Sequence, residues 1–201
     1  MLMPIDDNSP APRQALDLAE NSSLSALTAG IAAIYALCGA PYALLPGQTL
    51  ASYAVAGALA ACLVLLNVID LRSYRLPDLL TLPLLLAGLV LAALQGQEIL
   101  LWHAVAAVAA GLTLYTIRSL YRALRGYDGL GLGDVKLFAA AGAWIGPEGL
   151  ASSLLIACVT ALAVALLWKL ADPGVNGRSV LPFGPFLAIG FWIVWLYGPL
   201  A

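Results

Sequence analysis

Seven apolar runs, most close to twenty residues long and nearly free of charge, constrain this chain more than any other feature. They lie at about residues 24–45, 50–69, 78–95, 99–117, 135–147, 150–170 and 183–200, against the roughly 20 residues a helix needs to cross hydrocarbon. With 62% of 201 residues hydrophobic and 10% charged, one water-soluble core could not hide so much apolar surface. Lipid must cover the remainder. Backbone polar groups in lipid have to be satisfied within the segment, so runs of this length are helices. The expected fold is therefore all-α, a polytopic transmembrane helix bundle of about seven spans. Residues 1–23 are polar and acidic (Asp6, Asp7, Asp17, Glu20) and form a tail; residues 24–201 form the membrane-embedded domain. The tail is not a signal peptide, since it lacks a basic start and the apolar run behind it is too long.

The basic residues give the spans a direction. Arg72 and Arg75 follow the second run, Arg118, Arg122, Arg125 and Lys136 lie between the fourth and fifth, and Lys169 and Arg178 lie between the sixth and seventh. The alternate breaks, around Pro46–Gln48, Gln95–Glu98 and Pro147–Gly149, hold neither Lys nor Arg. The positive-inside rule places the basic breaks, and with them the N-terminus, in the cytoplasm. The fifth run, from Val135 to Pro147, is short and contains glycine. Its beginning must lie against protein or water rather than lipid.

Several chemistries are excluded by count. Nine Lys+Arg against eleven Asp+Glu leave no basic face for nucleic acid. Cys38, Cys62 and Cys158 lie far apart inside apolar runs and read as small core hydrophobes, with no metal spacing. His103 is the single histidine, so there is no histidine-dependent triad and no HExxH zinc site. Beside Trp102, it reads as part of an interfacial aromatic pair.

Carboxylates remain. Asp70 closes the second run in Asn67-Val68-Ile69-Asp70-Leu71-Arg72, and Asp134 opens the fifth in Gly131-Leu132-Gly133-Asp134-Val135-Lys136. An ionisable group at a membrane boundary is costly and marks function. Both ends face the same side, so the two acids can converge. Two carboxylates within a few ångströms cannot both ionise easily, and such a pair holds one proton between them. It can then hydrolyse a peptide without a covalent intermediate: one acid takes a proton from water while the other polarises the scissile carbonyl. Gly131 and Gly133 permit close backbone approach, so an extended substrate could dock beside Asp134. Lys136 is a third candidate substrate contact. Asp128 is the rival second acid, and Asp78, after Pro77, reads as a helix start.

Three segments carry a family resemblance: Ile69-Asp70-Leu71-Arg72-Ser73-Tyr74-Arg75-Leu76-Pro77-Asp78; Gly131-Leu132-Gly133-Asp134-Val135-Lys136-Leu137; and Pro182-Phe183-Gly184-Pro185-Phe186. In this order and spacing the chain resembles the type IV prepilin peptidases, over about residues 50–200. The resemblance implies a GxGD aspartic peptidase of the bacterial inner membrane. Such an enzyme cuts the basic leader from prepilins or pseudopilins at the cytoplasmic face. Asp70 and Asp134 carry over as its catalytic pair, and Gly131 and Gly133 as the motif backbone. Full-length relatives add an N-terminal module with paired CxxC motifs, which binds zinc and is associated with methylation of the new N-terminus. No cysteine precedes Cys38 here, so a short form without metal or cofactor is expected. The alternative is a non-enzymatic assembly component or small ion-coupled transporter whose acids line an ion path. The position of both acids at span ends, away from mid-membrane, favours the peptidase.

Overall fold

The computed structural model describes residues 10–45, 47, 49–73, 76–127, 129–171 and 182–200, with side chains described from residue 25 onward. Among the described residues six α-helices follow one another: α1 (Pro10–Gly39), α2 (Leu50–Ser73), α3 (Asp78–Gln95), α4 (Gln97–Arg125), α5 (Leu132–Ala171) and α6 (Gly184–Tyr197), with one 3-10 turn at Pro41–Leu44. No strand occurs among the described residues. Ser25–Leu44, α2, α3, α4 and α5 are long and apolar enough to cross a membrane, and α6 is a shorter apolar helix. The protein is a polytopic helical membrane protein.

Helix α5 accounts for the difference between these helices and the seven expected spans. It breaks at Gly146, whose φ of 65° and ψ of −174° belong to a region open essentially to glycine alone. Pro147 then starts a new helical arm, as proline does at a first turn. In the first arm Asp134 lies beside Gly184 and Trp144 packs on Phe191 and Trp195, so that arm runs parallel to α6. In the second arm Gly149 meets Val194 and Ser153 meets Gly190, so it runs antiparallel to α6. The two arms are thus a helical hairpin. They stand where the fifth and sixth runs were placed, with the turn at Gly146 rather than within Pro147–Gly149.

Close packing fixes the rest. Gly96, with φ 136°, is the single residue between α3 and α4. The first arm of α5 fills the angle between those two helices. Its Gly142 lies directly on the Ala106–Ala107 backbone, and Trp144 Nε1 donates to Leu84 O at 2.7 Å. Small residues at such crossings let helices approach where lipid supplies no hydrophobic drive between them. Helix α1 is tied on by polar and aromatic contacts. Asn67 Nδ2 donates to Tyr35 Oη at 3.0 Å, Trp192 Nε1 donates to Tyr35 O at 3.3 Å, and the Tyr35 and Trp192 rings lie 5.7 Å apart.

The helices overrun several expected ends. Helix α1 begins at Pro10, inside the polar tail, and α4 continues past Ile117 to Arg125. There Gly126 adopts a left-handed cap with Arg122 and Arg125 in the last turn, where cations complement the helix dipole. Cys158 is exposed, not a core residue as expected, while Cys38 and Cys62 are half-buried; all three are free thiols. The outward face of a membrane helix is itself apolar, so hydropathy alone cannot separate it from the core.

Candidate active site

Asp134 occupies the third position of α5, counted from Leu132. Its Oδ2 accepts the backbone N–H of Gly131 at 3.3 Å. This is the limb of a capping box in which the third helical side chain reaches back to the residue before the helix. It satisfies one orphan donor and fixes the rotamer of the acid. A first-turn carboxylate is also favoured by the dipole. Asp70 lies in the last turn of α2, where the same dipole opposes a negative charge. Both acids are nearly inaccessible, Asp70 at 4% and Asp134 at 6% exposure. Burying two carboxylates is costly unless they are paired or hydrogen-bonded.

The start of α6 brings the two together. A Cβ at Gly184 would stand 2.5 Å from Asp70 Oδ2 and 3.2 Å from Asp134 Oδ1. Both carboxylates therefore point at one spot, and only a glycine leaves that spot open. Gly184 is buried, and Pro185 follows it in the first turn of the helix. Such a pair can share a proton and divide the work of general base and general acid.

Residues 57–166, more than half of the chain, match the type IV leader peptidase family. The chain belongs to that family. Among curated relatives, the prepilin leader peptidase/N-methyltransferase of Burkholderia pseudomallei (strain 1026b) is 40% identical over 167 residues, 82% of this chain and 49% of the relative. The protein of the same name from Xanthomonas campestris is 38% identical over 141 residues, 70% of this chain and 48% of the relative. That of Dickeya chrysanthemi is 42% identical over 126 residues, 63% and 44% of the two chains. The chain spans about half the length of these relatives. No solved structure matches it.

Within this leader peptidase fold, the expected site residues meet different fates. Asp70 and Asp134 converge. Gly131 is exposed and gives its amide to Asp134. Gly133 is half-buried, and its missing side chain makes room for a neighbour within the chain. A Cβ there would fall 2.9 Å from Leu76 Cβ and 3.2 Å from Leu76 N, so the glycine admits the chain's own Leu76-Pro77 segment. Lys136 Nζ lies 2.5 Å from Asp78 Oδ1, an ion pair between the starts of α5 and α3. Asp78 is thus both the helix start expected and the partner of Lys136. Asp128 lies outside the described residues. His103 sits at the far end of the bundle, its Nδ1 2.9 Å from Ala143 O beside the Gly146 break.

Sequence reasoning assigned Gly184 and Leu76 no role. Each stood in one of the three motif segments, but nothing in a glycine between Phe183 and Pro185 states that it faces two acids 114 and 50 residues upstream. The one available signal was its place at the head of the last apolar run, on the same side as both acids.

Proposed function

We propose that this protein is an aspartic endopeptidase of the bacterial inner membrane that removes the leader from type IV prepilins or pseudopilins at the cytoplasmic face. The observation that carries the proposal is the convergence of Asp70 and Asp134 beneath Gly184. Membership of the leader peptidase family supports the reaction class, and the names of the relatives support the substrate class.

The chemistry follows from the pair. The ionised carboxylate accepts a proton as a water oxygen attacks the scissile carbonyl carbon. The protonated partner donates its hydrogen bond to the carbonyl oxygen and stabilises the developing oxyanion. Collapse of the tetrahedral intermediate breaks the C–N bond, and the amine leaves with a proton returned by the dyad. The dyad titrates as a unit. Because a helical peptide bond is shielded by its own turn, the substrate is extended where it is cut. Exposed Gly131 offers backbone beside Asp134 for that stretch, with Gly133 behind it.

The test is incubation of the purified protein in detergent with a full-length prepilin, followed by mass analysis of the product. A single new N-terminus is expected, with none from Asp134→Asn. No product from the wild-type protein, or equal product from the variant, overturns the proposal.

A further inference from the structure

The Leu76-Pro77-Asp78 segment touches the α5 start in two places. Leu76, buried, packs onto Gly133, and Asp78 pairs with Lys136 at 2.5 Å. These contacts bracket Asp134: Gly133 precedes it and Lys136 lies two residues beyond. The same segment follows α2 in the chain, and Asp70 lies eight residues before Asp78. The ion pair therefore joins the stretch issuing from the helix of one acid to the first turn carrying the other.

We infer that Asp78 and Lys136 are positioning residues: their ion pair sets the depth and rotation of the first turn of α5, and so the approach of Asp134 to Asp70. This deepens the peptidase reading and rests on it. Three observations carry the inference. The pair is at the solvated end, with side chains 57% and 40% exposed for Asp78 and Lys136, so it does not build the core. An exposed pair adds little to global stability, so its contribution is local. It joins two separate helices at this end and spans fifty-eight positions of sequence. Finally, Gly133 removes the steric support that a side chain would give at its position. Leu76 packs on that glycine, and the ion pair adds a directional contact to the same turn. Small displacements matter here: a misplacement of about 1 Å in a catalytic group costs about a hundredfold in rate.

The experiment compares Asp78→Asn, Lys136→Met and the exchanged double variant Asp78→Lys with Lys136→Asp. Three quantities are read: kcat and KM on a full-length prepilin, the thermal midpoint in detergent, and the labelling rate of Asp134 by a carbodiimide, followed by mass spectrometry. Each single variant is expected to lose about tenfold in kcat, with KM within about twofold. The midpoint should stay unchanged, and Asp134 should label several-fold faster because its turn loosens. The exchanged pair should recover most of both kcat and labelling protection, since the attraction is restored with opposite sense. Single variants with wild-type kcat and wild-type labelling overturn the inference. So does a rise in KM without rescue by the exchange, which would make Lys136 a substrate contact. If the wild-type protein cuts no prepilin but the labelling pattern holds, the peptidase reading fails while the positioning role stands.

Discussion

At the residue scale, the site is a set of side chains that are individually expensive and a set of missing side chains that make room for them. Asn has the shape of Asp but can neither act as base nor carry the shared proton. Asp70→Asn and Asp134→Asn are each expected to lower cleavage by about 10²–10⁴-fold or more with little loss of folded protein. The double variant should be hardly worse than either single one, because the acids act as a unit. Gly184→Ala gives a sharper test of the geometry. Its Cβ would enter the spot that Asp70 Oδ2 and Asp134 Oδ1 both face, so the carboxylates must part. A loss of about a hundredfold in kcat is expected with both acids still present; wild-type turnover would show that they do not meet there. The sequence made the two acids legible because charge is conspicuous in apolar runs. It left Gly184 and Leu76 silent, because the partner of a small or apolar residue is decided by tertiary packing. At Gly133 a need for close approach was readable, and the approach present in the structure is that of the chain's own Leu76.

At the element scale, α5 is the part whose behaviour depends most on one residue. Hydropathy marked two runs separated by a break, and the structure resolves that break into a turn at Gly146 with Pro147 opening the second arm. The exact turning residue was not legible because Gly146, Pro147 and Gly149 all signal a break. Backbone geometry decides among them: only Gly146 has positive φ. Helix ends were equally hard to place. The dipole-complementing arginines and Gly126 extend α4 well beyond its apolar run, since capping, unlike membrane burial, does not require hydrophobic residues. Gly146→Ala should cost about 1–3 kcal/mol through backbone strain. Its Cβ would also press to 3.0 Å from His103 Nε2. The expected result is a thermal midpoint lower by several degrees in detergent. Cleavage per folded molecule should hold, because the turn lies at the opposite end of the bundle from Asp70 and Asp134. An unchanged midpoint would mean that the hairpin turns elsewhere.

At the scale of the whole molecule, the two ends of the bundle differ in charge and in the side chains they gather, and the difference yields a topology that can be measured. Asp70, Asp134, Gly184, Asp78 and Lys136 gather at one end. Gln95, Trp102, His103, Gly146 and Glu148 line a cavity at the other. Helix α4 runs from the second end to the first, so its closing Arg122 and Arg125 fall on the side of the two acids. The second arm of α5 returns toward that side as well and closes with Lys169. The turn between α3 and α4 carries Glu98 and no cation. Insertion retains Lys and Arg in the cytoplasm, so the end bearing the acids is expected there, where a prepilin leader would be presented. Single-cysteine proteins, with Cys38, Cys62 and Cys158 replaced by alanine, test this with a membrane-impermeant maleimide on spheroplasts. Glu98→Cys should label in intact spheroplasts, and Arg125→Cys should label only after lysis. If both positions label from the same side, α4 does not cross the membrane as a single span. If Arg125→Cys alone labels from outside, the bundle is inverted, and the two acids face a compartment in which no cytoplasmic leader could reach them.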